Sequence, residues 1–130
     1  MATSPNLEIT HVAEAQTQKH ATVNTAINQL EAAITAKVSV AMADANQTLA
    51  DSVALRNMLF ECTGSSMTTG RNVVVPINPK LYLFLDSESS GQTITVKTPS
   101  GSGIALPAGV WALLYCDGTN VIKIMFADGS

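Results

Sequence analysis

At 130 residues and 13.6 kDa, the chain has room for one domain of ordinary size or a small domain carrying an extension. Only 13% of residues are charged, while 46% are apolar and mean hydropathy is +0.22, which excludes a disordered, solvent-loving tail. A net charge of -3, with no two basic residues side by side, excludes the clustered Lys and Arg of a nucleic-acid face or a basic membrane-surface helix.

The first eight residues lack the positive start and apolar run of a signal peptide, and no stretch approaches the ~18 apolar residues of a membrane span. The expectation is a protein made in a cytoplasm. Composition changes near Asn46. Before it Gly is absent and Pro occurs once, and after it come all eight Gly and the other four Pro. This predicts two parts: residues 1–46, helical, and residues 47–130, strands and turns.

A helix is expected over about residues 12–44. Val23, Ile27, Leu30 and Ile34 recur at 4-3-4 spacing, the seam of a two-heptad coiled coil. A seam this narrow wants a partner, and the sparse charges (Glu14, Lys19, Glu31, Lys37, Asp44) do not suit an isolated solvated rod. A helix folded back on its own sheet is the alternative.

Strands are expected over residues 55–62, 71–75, 81–85, 93–98, 104–106, 110–115 and 121–125. Residues 81–85 are apolar throughout, so that strand should be covered on both faces. Residues 93–98 alternate, so that strand should have one wet face. Asp117-Gly118-Thr119-Asn120 is a strong hairpin turn. The fold class is α+β: a long coiled-coil-like helix, then a small antiparallel β-sandwich or barrel. A β part of this size buries only ~60% of its unfolded surface, a deficit that oligomerisation offsets.

Catalytic patterns are missing. His11 and His20 fall about 180° apart on a helix at ~100° per residue, and HExxH, GxSxG and SxxK do not occur. Gly101-Ser102-Gly103 is a turn rather than a phosphate loop, the Asp117 turn lacks the closing ligands of a calcium site, and Asp86 and Glu88 are expected to be solvated. No catalytic residue, cofactor or metal is expected. Cys62 and Cys116 are expected as buried thiols. Trp111 is expected to fill the β core, and is otherwise the candidate for a surface ligand contact, such as stacking on a sugar.

Two segments carry a resemblance. Residues 15–26, AQTQKHATVNTA, followed by Leu30-Glu31, are similar to the "GQAQKxxTxNEAL..LD" opening of a family of phage and gene-transfer-agent virion proteins. Departures fall at Glu14 and Thr17, where the motif has small residues, and at Thr25, where it has an acid. Residues 95–107, TVKTPSGSGIALP, with residues 114–121, LYCDGTNV, resemble the β module of many phage fibre proteins, "TVKTxxGxGvxvPxG" and "lYCDGTNV". The resemblance implies a virion surface protein that is a homotrimer. Its helices would meet through Val23, Ile27, Leu30 and Ile34, and Gln16, Gln18, Lys19 and Asn24 would anchor it to a capsid, neck or tail platform. A short fibre or spike is the leading expectation. A capsid decoration protein and a tail-fibre adapter are variants, and a carbohydrate-binding module that takes a host glycan is the alternative from another class. No nucleic acid and no membrane insertion are expected.

Overall fold

The computed structural model describes residues 2–129. Helix α1 spans Lys19–Thr35, a short helix α2 spans Asp51–Ala54, and the strands are β1 Lys37–Ala41, β2 Gln47–Thr48, β3 Leu59–Thr63, β4 Arg71–Val74, β5 Lys80–Asp86, β6 Ile94–Lys97, β7 Gly103–Ala105, β8 Trp111–Cys116 and β9 Val121–Phe126. The α+β class stands, but the expected helix over residues 12–44 is too long at both ends. Residues before Lys19 form turns, with an isolated bridge between Thr3 and Thr10. After Thr35 the pattern changes from the helical period to alternation, Val38 and Val40 inward and Lys37, Ser39 and Ala41 outward, and β-branched residues at period two favour a strand. Thr35 Oγ1 donates to Glu31 O (2.9 Å) at the last helical turn, and Ala36 is extended with ψ 147°. Residues 37–41 therefore belong to the β body.

Strands alternate between two sheets: β1-β3-β5-β8-β9 in one and β2-β4-β6-β7 in the other. The expected antiparallel sandwich is corrected to a mixed one. β1–β3, β3–β5, β2–β4 and β4–β6 are parallel, and β5–β8, β6–β7 and β8–β9 are antiparallel. Parallel partners lie 22 and 24 residues apart in the first sheet (Lys37 opposite Leu59, Leu59 opposite Leu83) and 26 and 23 apart in the second (Gln47 opposite Val73, Arg71 opposite Ile94). The chain thus winds as a short two-faced coil of three rungs, in the manner of a solenoid, and then reverses into a closing cap of β7, β8 and β9. Successive corners stack by equivalent hydrogen bonds, Met42 N to Thr63 O (2.8 Å) and Ser87 N to Cys62 O (2.8 Å).

The core lies between the sheets. Phe60 stacks on Phe84 (centroids 4.8 Å) and meets Tyr82 edge-on (5.5 Å), facing Val73, Ile94 and Val96 from the other sheet. Rings in these arrangements add to their area burial. Cys62 and Cys116 are fully buried, as expected, and burial pushes the Cys62 thiol up to about 12, with the charges of Asp86 and Glu61 adding to it. They stand opposite Asp86 and Lys80 at the two ends of β5. That separation is about 20 Å at ~3.4 Å per residue, far beyond the ~7 Å Cα reach of a disulfide.

The cap carries residues 95–107 and 114–121, which clasp one another. Buried Thr98 donates through Oγ1 to Thr119 O (2.6 Å) and accepts from Gly101 N (3.0 Å). Asn120 Oδ1 accepts from Ser102 N (2.8 Å), and Asp117 Oδ1 accepts from the amides of Thr119 (2.9 Å) and Asn120 (2.8 Å). A Cβ on Gly101 would fall 2.0 Å from Thr119 O, and one on Gly103 2.2 Å from Val96 O, so both positions admit only glycine without backbone movement. Gly101→Ala should destabilise by about 3 kcal/mol through overpacking, and Thr98→Val by about 2 kcal/mol through stranded polar partners. Urea midpoints check both, and exposed Ser100→Ala should leave the midpoint unchanged.

A second tie joins the first rung to the next. Asp44 accepts from Thr68 N (3.0 Å), Thr68 Oγ1 (2.7 Å) and Arg71 Nη2 (2.8 Å). The Thr68 hydrogen bonds, aided by Arg71, hold its carboxyl at about 2. A depressed carboxylate stabilises above its unfolded value of 3.8, and the contribution disappears as pH falls through about 2. Acid titration of wild type and Asp44→Asn should therefore give stabilities that differ at pH 5 and converge towards pH 2.

Candidate functional site

Residues 3–10 form a tight loop: Ser4 N donates to Ile9 O (2.8 Å) and His11 N to Ala2 O (2.8 Å). The β body holds this loop. Arg56 Nη1 donates to Leu7 O and Nη2 to Glu8 O (3.2 Å), while Asn78 Nδ2 donates to Asn6 O (2.8 Å) and Glu8 Oε2 (3.3 Å). Guanidinium donors on backbone carbonyls make strong clamps because one partner is ionised. Glu8, Ala15 and Gln18 have left-handed backbones (φ 54°, 58° and 55°), a conformation that disfavours side chains, and at Glu8 these ties hold it in place.

The loop and α1 together make an apolar groove of about 470 Å³, lined by Ile9, Val12, Val23, Ala26, Ile27 and Leu30 among others. Val23, Ile27, Leu30 and Ile34, the predicted seam, do share one face of α1, and they are 43%, 57%, 47% and 62% exposed. The side of α1 that meets the rest of the chain (Thr22, Gln29, Ala33) lies about 110° around from that stripe at ~100° per residue. Among the described residues, Ala33 is the one buried residue of α1. The helix is thus not folded with its apolar face on its own sheet.

The four predicted anchoring residues divide. Gln18, Lys19 and Asn24 are exposed. Gln16 is half-buried and engaged within the chain, its Oε1 accepting from Ala13 N (2.7 Å) and its Nε2 donating to Thr22 Oγ1. It organises the entry to α1, where Gln18 provides no side-chain cap.

Trp111 does not fill the core. Alternation along β8 sends Ala112, Leu114 and Cys116 inward and Trp111 outward, onto a shallow depression with Leu83, Leu113, Met125 and Ala127. Those neighbours are all apolar and offer no side-chain donor or acceptor for sugar hydroxyls. The β5 expectation also changes. Tyr82 and Phe84 are buried inward, but outward-facing Leu81 is 46% exposed, so the strand is not covered on both faces. Sequence reasoning missed that face because Leu83, Leu113 and Met125 lie on three strands that only the register brings into one row.

Lys80 is buried where α1 meets this sheet. Burial lowers its amine to about 8, while its Nζ donates to Asn57 O (2.6 Å) and Leu81 O (3.1 Å) and lies 4.3 Å from the Tyr82 ring centroid. His11 and His20 are exposed, and among the described residues no cluster of three His, Cys, Asp or Glu side chains could hold a metal ion. Among them, too, no helix is long and apolar enough to cross a membrane. Compared with family models, curated proteins and solved structures, the chain matches none.

The Arg56 clamp is what keeps the groove's N-terminal wall in place. Arg56→Ala should speed amide exchange over residues 4–11 by about tenfold, equivalent to ~1.4 kcal/mol. Exchange at β5 should be unchanged.

Proposed function

We propose that this chain is a virion structural protein, a short trimeric fibre or spike on the particle surface whose N-terminal segment docks on a head or tail platform. The carrying observation is the helix stripe of Val23, Ile27, Leu30 and Ile34, which stays 43–62% exposed in a single copy. A 17-residue helix is marginal alone in water, and four large apolar side chains at heptad spacing gain most by meeting copies of themselves.

Two further features support the reading. The opening motif of residues 15–26 leaves Gln18, Lys19 and Asn24 exposed and able to make directional contacts with a platform. The fibre-like motif forms a stapled cap on a wound β body, a suitable terminus for an element that projects. The carbohydrate-binding alternative loses support from the apolar surroundings of Trp111.

Light scattering should give about three times 13.6 kDa. Ile27→Asp with Leu30→Asp should reduce this to one copy, because an unpaired charge buried at such a seam costs several kcal/mol. A single-copy mass for wild type would overturn the proposal.

A further inference from the structure

The helix stripe is not the chain's one bare apolar surface. The outer face of the five-stranded sheet carries the row Leu59–Leu83–Leu113–Met125 across four strands, with Leu81 opposite Tyr115 and Tyr115 opposite Ile122 beside it. Leu81, Ile122 and Met125 are 46%, 42% and 50% exposed. The other sheet presents Asn72, Thr95 and Lys97 outward, so one face of the body suits water and the opposite face does not.

We propose that this sheet face is the β half of the same three-copy interface, covered by the corresponding faces of sister copies around the axis on which the helices meet. The inference rests on the trimer proposed above and extends it from the helix to the whole length of the chain.

Three observations carry it. First, the two bare surfaces are continuous: Ile34, the last residue of the helix stripe, shares a cavity of about 280 Å³ with Ala33, Met58 and Leu81, and Leu81 belongs to the sheet face. An axis that covers one surface runs on to the other. Second, the chain's own helix does not cover this face, since its apolar stripe and Leu81 are both left half-exposed. One residue, Ala36, joins α1 to β1, and its carbonyl accepts from Met58 N (2.9 Å) and Leu59 N (3.1 Å), fixing where the helix leaves. Third, the charged side chains among the described strand residues of this face, Lys37 and Glu61, pair with each other at 2.7 Å. A face that must meet copies of itself tolerates apolar side chains and neutralised pairs but not a bare charge.

Trp111, the single tryptophan, stands on this face and reports on it directly. Acrylamide quenching of its fluorescence should be at least about threefold weaker in assembled wild type than in the dissociated Ile27→Asp, Leu30→Asp variant, because an interface core excludes water and solute. A wild type of three-copy mass whose Trp111 is quenched as readily as in that variant would overturn the inference and leave the helical trimer standing. A wild type of single-copy mass would overturn both. In a separate arm, Leu81→Glu with Met125→Glu changes two half-exposed outward positions and spares the core. Dissociation at protein concentrations at least tenfold above the wild-type threshold supports the inference, and unchanged assembly of this folded variant overturns it.

Discussion

One residue governs the arrangement. Ala36 is the whole connection between α1 and β1, and its carbonyl is tied to the start of β3, so the helix leaves the β body at a fixed point with no slack to fold back. The apolar stripe of α1 is consequently presented outward, and Arg56 and Asn78 set the N-terminal loop beside it as a wall. A longer linker would have let this amphipathic helix cover its own sheet, the usual two-layer solution. The short one leaves both surfaces uncovered, and the proposed assembly is what would cover them.

The β body explains why residues 95–107 and 114–121 are what they are. Thr98, Gly101, Asp117 and Asn120 satisfy one another's polar groups where the reversing cap closes on the last rung. Gly101 and Gly103 are small because backbone carbonyls of Thr119 and Val96 occupy the space a side chain would need. The motif therefore encodes the closure of a coil. A coil whose neighbouring rungs are its main support needs such a terminus, because an open end leaves strand edges unpaired.

Legibility in the sequence followed the range of the interactions. The strands expected over residues 71–75, 93–98 and 121–125 formed within a residue of those bounds, the second legible from alternation and the third from its turn, and the Asp117-Gly118 hairpin formed where expected. The face-sharing of Val23, Ile27, Leu30 and Ile34 was also visible, since it follows from the helical period alone. The end of α1 was not, because alanines at residues 32, 33, 36 and 41 fit either period and masked the alternation of Val38 and Val40. Parallel pairing was invisible for a different reason. Several of the glycine and serine turns are corners that carry the chain to the opposite sheet, and pairing across 22 to 26 residues leaves no local mark. Trp111 was misplaced for want of one bit of information, the phase of β8, which the inward pair Leu114 and Cys116 sets.

The central claim, that sister copies cover the α1 stripe, is tested most directly by amide exchange across α1, Lys19–Thr35, as a function of protein concentration. A helix completed by its neighbours should lose protection on dilution while the amides of β5 keep theirs. Protection of α1 that is the same at every concentration, with the stripe residues exchanging as a lone helix would, contradicts the account.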